Sequence, residues 1–496
     1  MAQSGAPFEM PAPPQGTYAA VTDMDGPGTL ILHRTLQLDR AYALRLTLFY
    51  KGVVPFDGQQ AYRIDVLRAA AEVDSRAQED LLGTVFQTSS DSALVCAARE
   101  VRFDLSAFRG QTVRLRLTVS SERGPIRAGV DAIQLQPVQT TAAAPRAAVC
   151  IQERMAEADA LTALSREAAL RAQRDEFSGA LLIARDGRVL LRDAWGKADR
   201  EADIAADVDT RFHIGSMNKM FTAVAVLQLV HAGKLSLDAP IIEYLPSYPN
   251  RELAQKVTVR ALLNHTGGTG DIFGPEFDQH RASLREHDDY VSLFGARALD
   301  DAVGVHRYSN YGFVLLGSII EHVTGTSYYD HVRNHVLAPA GMTSTDSLPE
   351  SEPIAKLAKG YLRSGEAWVS NRDSLPFRGT AAGGGYSTVG DLLRFAQALE
   401  SGTLIPKPLL AQATTPSADS YGYGFHIHGQ ASRRSYGHGG GHHGMNGELR
   451  VYPELGVVVV ALSNFDPPAA SQLLQYYVSR MPLPPMAPPR ATFTVP

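Results

Sequence analysis

Eight lysines occur in the 496-residue chain, and only Lys219 has a serine three positions before it, in the stretch HIGSMNKMF from His213 to Phe221. On a helix that spacing puts the Ser216 hydroxyl and the Lys219 amine on one side, about a turn apart. If the helix is buried, the amine loses its water and its pKa falls. The neutral form can then accept the serine proton. The positive end of the helix dipole favours the negative charge that develops there. A serine at a helix start with a lysine reaching to solvent is the plain alternative, so the pair calls for partners elsewhere.

Two further stretches offer them. In HRYSNYGFVLLGSIIEHV, Tyr308, Ser309 and Asn310 stand at the foot of an apolar helical pattern made by Phe313, Leu316, Ile319, Ile320 and Val323. A tyrosine beside a protonated lysine can share its proton, serving as base toward a nucleophile and as acid toward a leaving group. Asn310 supplies both a donor and an acceptor. In YGHGGGHHGMNGELRVYP, Gly439, Gly440 and Gly441 allow close backbone approach by a substrate. A metal reading of His438, His442 and His443 has little support, because the glycine-rich spacing gives no element to orient ligands.

The elements that must carry these residues are legible from periodicity. Met217, Met220, Phe221, Val224, Leu227 and Val230 recur at helical spacing after Gly215, with Gly233 as a stop. FSGALLIARDGRVLLRDAWG has two apolar runs around Asp186-Gly187, a hairpin signal because both turn positions need positive φ. ELRVYPELGVVVVALSN predicts two more strands. Helical patterns lie between, so a sheet built from the two ends of the domain with helices from its middle is expected. Residues 17 to about 138 read instead as all-β: Leu44, Leu46 and Leu48 share one face, and Val113, Leu115, Leu117 and Val119 alternate with Arg114, Arg116 and Thr118. The expected organisation is a β-sandwich over 1–145, a linker and helix over 146–176, a second domain over 177–480 and a Pro-rich tail over 481–496. The chain is α+β overall.

Length alone argues for two domains. A net charge of −5 and a pI near 6.3 argue against a nucleic-acid or anionic-membrane partner held by bulk charge. No apolar run reaches the length of a membrane span; GVVVVAL from Gly456 suits a buried strand. Cys96 and Cys150 allow either a disulfide or two buried thiols. MAQSGAPFEMPAPP has neither the basic nor the apolar region of a signal peptide and would suit a mature N-terminus with an added methionine. The expectation is a periplasmic or secreted location, with a cytoplasmic one as the alternative.

Ser216-Met217-Asn218-Lys219, Tyr308-Ser309-Asn310 and His438-Gly439-Gly440, in that chain order, resemble the three motifs of the serine hydrolases related to penicillin-binding proteins and class C β-lactamases. The resemblance extends over roughly 177–470. It implies a β-lactamase-like domain, an antiparallel sheet flanked by helices with a helical subdomain. Ser216 would be the acylated nucleophile, Lys219 its proton acceptor and Tyr308 an aid to leaving-group protonation and water activation. Asn310 would orient substrate, and the N–H groups of Ser216 and Gly441 would form the oxyanion hole, with no metal or organic cofactor. β-Lactamases of the family have a lysine where His438 stands, so the demand for a substrate carboxylate should weaken. The implied activity is carboxylesterase-like hydrolysis of small esters or amides, with a D-amino-acid-specific peptidase or DD-carboxypeptidase as the alternative. A non-turnover peptidoglycan or β-lactam sensor is the rival from another class. The charged stretch between Gly270 and Tyr308 is placed as a specificity lid would be. FDLSAFRGQTVRLRLTVSSERGPIRAGVDAIQLQP resembles the closing strands of carbohydrate-binding jelly-roll modules, which makes a polysaccharide a candidate partner of the N-terminal domain.

Overall fold

The computed structural model describes residues 2–3, 18–24, 28–52, 56, 60–75, 77–88, 92–93, 95–121, 126–138, 153–365, 367–417, 420–429 and 431–483. The Ala/Pro-rich linker over 139–149, Cys150 and most of the Pro-rich tail lie outside them. The chain divides into two compact units, one formed by Met1–Ala160 with Gln475–Pro482 and the other by Leu161–Leu474 with Leu483–Pro496.

In the first unit two antiparallel sheets share one apolar core, as the alternating patterns predict. One sheet runs in the order Ala2–Gln3, Tyr18–Met24, Ile126–Pro137, Tyr42–Gly52, Val95–Asp104. The other runs Gly28–Leu38, Gln111–Ser121, Gln60–Arg68, Leu81–Gln87. Leu44, Leu46 and Leu48 from one sheet meet Val113, Leu115, Leu117 and Val119 from the other. Cys96 is buried and disulfide-bonded. The opposite face of Gln111–Ser121 is less wet than its arginines suggest. Arg116 donates to Asp65, at 3.0 Å, and to the Ser75 carbonyl, at 2.7 Å, while Arg114 donates to the Ala71 carbonyl. Asp65 is only 1% exposed and also accepts from Arg63 and Thr84. A carboxylate so deeply buried persists because its partners satisfy it.

The second unit holds a six-stranded antiparallel sheet in the order Arg188–Trp195, Gly179–Arg185, Val457–Ser463, Met445–Tyr452, Ser435–His442, His426–His428. Its strands come from the two ends of the domain, as expected. Asp186 and Gly187 turn the first hairpin with φ of 49° and 75°. The valine run pairs on both sides, Val460 facing Leu182 and Leu449, so its apolar continuity reflects an interior strand. Most of the described α-helices, from Asn218–His231 to Lys407–Ala413, lie between strand Arg188–Trp195 and strand His426–His428, with short strands among them. Asn218–His231 is buried around its whole circumference for its first ten residues and packs against Asn310–Thr324. Phe221 sits edge-on to Phe395, with ring centroids 4.8 Å apart. Among the described residues no helix is long and apolar enough to cross a membrane.

Truncating Asp65 would strand two guanidinium groups, one of them nearly buried. Asp65→Ala should therefore cost about 3 kcal/mol, the lower end for breaking a buried ion pair, since Arg116 keeps a carbonyl partner. Hydrogen exchange along Gln111–Ser121 should accelerate accordingly, and unchanged protection there would show the pair to be dispensable.

Candidate active site

Ser216 lies in a 3-10 turn, Gly215–Met217, just before the helix that begins at Asn218, rather than on its first α-helical turn. Gly215 enters that turn with φ of 52°. Lys219 follows as the second helical residue and is 0% exposed. Its Nζ donates to Ser216 Oγ at 3.1 Å, to Asn310 Oδ1 at 2.7 Å and to the Ala382 carbonyl. The Tyr308 ring centroid lies 4.7 Å from the same atom. Burial lowers the lysine's pKa from its ordinary value to about 7, against an opposing pull from the Asp271 carboxylate. An amine that is neutral for much of the time near pH 7 can take a proton from the hydroxyl it touches.

Three side chains of this one helix fasten the segment 380–382. Asn218 donates to the Thr380 carbonyl at 2.7 Å, Thr222 to the Ala381 carbonyl at 2.7 Å, and Lys219 to the next carbonyl along. His287, itself fully buried, accepts from Ala381 N at 3.0 Å. Asn310 opens helix Asn310–Thr324, whose N-cap is Ser309. The Ser309 Oγ accepts from Gly312 N and donates to the Gly270 carbonyl, while its backbone N–H donates to His265 Nδ1 at 3.1 Å. The amide nitrogen of Asn310 donates to both Asp271 oxygens at 3.0 Å, which fixes its carbonyl oxygen toward Lys219. Tyr308 is half-buried, its ring centroid 4.3 Å from that of His265.

The glycine strand passes directly over the serine turn. A Cβ on Gly440 would sit 1.9 Å from the Ile214 carbonyl oxygen, and one on Gly215 would sit 3.2 Å from Gly441 N. Side chains are excluded from this crossing by backbone on both sides. The backbone nitrogens of Ser216 and Gly441 are thereby brought to the same cleft, which both residues line. Asn446 locks the strand from behind, donating to the Gly440 carbonyl and accepting from Ala470 and Ser471 N–H groups.

The cleft, about 700 Å³ with the open solvent at its mouth included, reaches from Ser216, Asn310 and Gly441 to an apolar wall of Ile272, Phe273 and Phe277, with Leu375 and Met445. The wall's first three residues come from the stretch between Gly270 and Tyr308, where the sequence placed specificity. Among the described residues no lysine or arginine lines the cleft. His438 does not line it either: it is 2% exposed, its Nε2 3.0 Å from the Tyr421 hydroxyl and its ring 4.5 Å from His426. The position expected to meet a substrate carboxylate is thus turned inward. His442 lines the cleft and His443 is exposed beside Asp466, so the three histidines do not converge.

The serine, lysine, tyrosine and asparagine are therefore brought together as the motifs suggested, with Gly441 beside them and His438 behind. Asn218, His265 and Asp271 have roles in this arrangement that the three motifs do not assign. Of these, only Asp271 carried a local signal, its carboxylate accepting from the next two backbone N–H groups at the start of the wall segment.

The chain is similar to known proteins of one family. The family model described as Beta-lactamase matches residues 151–479. The putative penicillin-binding protein PbpX of Bacillus subtilis (strain 168) is 32% identical over 255 residues, which are 51% of this chain and 62% of that protein. The chain thus spans less than two thirds of PbpX. Penicillin-binding protein 4 of Amycolatopsis lactamdurans is 30% identical over 320 residues, 60% of this chain and 83% of that one. The crystal structure of a D-stereospecific amidohydrolase from Streptomyces sp. superposes with a TM-score of 0.54 at 30% identity, covering 63% of this chain and 96% of its own. With more than half of its length matched by that model, the chain belongs to the beta-lactamase family, the serine hydrolases that include penicillin-binding proteins.

Proposed function

We propose that the protein hydrolyses small amides and esters through an acyl-enzyme on Ser216. The observation that carries this reading is the dry contact of 3.1 Å between Lys219 Nζ and Ser216 Oγ, with the amine's pKa lowered to about 7. Ser216 Oγ attacks the substrate carbonyl carbon as Lys219 accepts its proton. The carbonyl oxygen becomes an oxyanion facing the N–H groups of Ser216 and Gly441. Collapse breaks the bond to the leaving group, which departs with a proton delivered by way of Lys219 and Tyr308. Water then attacks the serine ester, losing a proton to the same pair, which returns it to Ser216 Oγ as the carbon–oxygen bond to the serine breaks and the acid is freed. Asn310 holds the lysine on one side and faces the cleft on the other. Donors aimed at a developing oxyanion usually contribute the largest single share of such catalysis.

The likeness to penicillin-binding proteins and a D-stereospecific amidohydrolase favours amide substrates of D-configuration over the simple esters that the motifs alone placed first. Penicillin hydrolysis fits less well, because the cleft has no lysine or arginine among its described lining residues to hold the carboxylate and His438 faces inward. A sensor that is acylated once and stays acylated remains the rival, separated by turnover.

Ser216→Ala should abolish release of phenol from an activated aryl ester and remove the acyl adduct seen by intact-protein mass spectrometry; a stable adduct without turnover in the parent protein would favour the sensor. For a neutral ester, kcat/KM should rise with pH through about 7, because below that pH Lys219 is protonated and cannot accept a proton. Asp271 favours the protonated lysine, so Asp271→Asn should move this rise to lower pH, and an unmoved rise would assign it to another group. Gly440→Ala should lose at least about a hundredfold in kcat/KM while circular dichroism stays native, since the crossing of strand and serine turn must open. Gly439→Ala, whose Cβ would meet only the Gly447 carbonyl oxygen at 3.7 Å, should lose far less.

A further inference from the structure

Glu350 is placed on the wall of the cleft that holds Ser216, 137 residues along the chain from its hydrogen-bond partner His213. Both its carboxylate oxygens lie 3.1 Å from His213 Nε2. One ring nitrogen can satisfy only part of a carboxylate, which has about four acceptor positions. The side chain keeps 21% of its surface exposed, so the remaining positions face the cleft. His213 is held in turn by backbone, its strand Phe212–His213 pairing with Tyr386–Ser387, and it leads through Ile214 and Gly215 into the serine turn. The carboxylate is therefore tethered, through His213, to the segment that leads into the serine turn.

The charges of the cleft are one-sided. Glu350 is the carboxylate among its lining residues, and no lysine or arginine answers it there among the described residues. The nearby arginines are engaged elsewhere: Arg333 with Asp346 and Asp330, Arg211 with the Ala355 carbonyl, and Arg378, paired with Pro349, with the Ser347 carbonyl and the Tyr329 ring. Tyr290 also lines the cleft; it is 1% exposed and its hydroxyl has no hydrogen-bond partner among the described protein groups. Such a wall repels a substrate carboxylate and offers acceptors to a cation.

We infer that Glu350, with His213 holding it, is a specificity determinant that binds a free ammonium group on the acyl portion of the substrate. This makes amides and esters of unblocked α-amino acids the preferred class, over N-acylated amino acids and over substrates recognised by a terminal carboxylate. The inference rests on the acyl-hydrolase reading of Ser216 and adds the chemistry of the acyl group to it. A charge-assisted contact of this kind should give a preference of at least about tenfold.

The test compares the p-nitroanilides of D- and L-alanine, each with a free and with an N-acetylated amine, at pH 7, where an α-amino group is mostly protonated. p-Nitrophenyl acetate runs alongside. The expected result is a free-amine preference of at least about tenfold in kcat/KM for the better enantiomer, falling toward unity in Glu350→Gln. Because the ratio is taken within one enzyme, general damage to the fold cancels from it. The inference is overturned if the parent protein hydrolyses the acetylated form as well as the free one, if Glu350→Gln keeps the preference, or if p-nitrophenyl acetate is turned over and no anilide is. Failure to turn over the ester as well would bring down the acyl-hydrolase reading, and this inference with it.

Discussion

An ammonium group taken out of water is costly, and the second unit is organised around one such group. Lowering the pKa of Lys219 from 10.5 to about 7 corresponds to roughly 5 kcal/mol of penalty on its charged form. The site tolerates that penalty because the amine keeps three oxygen partners, from Ser216, Asn310 and the Ala382 carbonyl. Each partner belongs to a different part of the chain, so the requirement to satisfy one nitrogen ties the serine turn, helix Asn310–Thr324 and the segment 380–382 to a single point. Asn218 and Thr222 secure the last of these, and Asp271 secures Asn310. The burial that lowers the lysine's pKa thus also fixes the geometry around Ser216.

The second constraint is steric. The serine turn and the strand Ser435–His442 cross with backbone against backbone, which only residues without a Cβ permit at Gly440. The sheet makes that crossing rigid, since the glycine strand pairs with Met445–Tyr452 from Tyr436 through His442. A glycine-rich strand would be weak by itself, having no side chains to pack. Here it is supported by a neighbour buried at every residue and by Asn446, which bonds to the Gly440 carbonyl. The apolar wall is built differently, from a long excursion between Gly270 and Tyr308, and Glu350, the one carboxylate among the described lining residues, comes from yet another segment. Helix and sheet thus carry Lys219, Asn310 and Gly441, while intervening segments line the rest of the cleft.

Periodicity and composition determined the framework. The alternation over 111–121, the Asp186-Gly187 turn, the valine run after Gly456 and the apolar spacing after Gly215 are local patterns, and each is realised in the element it predicts. The pairing of serine with lysine was legible for the same reason, because three residues on a helix fix a distance. Tertiary structure alone decided the rest. Lys219 meets Asn310 across 91 residues, and Asp271 meets Asn310 across 39. Arg116 looks like a solvent-facing residue in its strand until Asp65 and the Ser75 carbonyl cover it. His438 has the sequence position of a substrate contact and the environment of a core residue, bonded to Tyr421. Which way a side chain faces at the end of a strand, and which distant groups satisfy it, depends on desolvation and hydrogen bonding summed over several segments, and no local spacing encodes that sum.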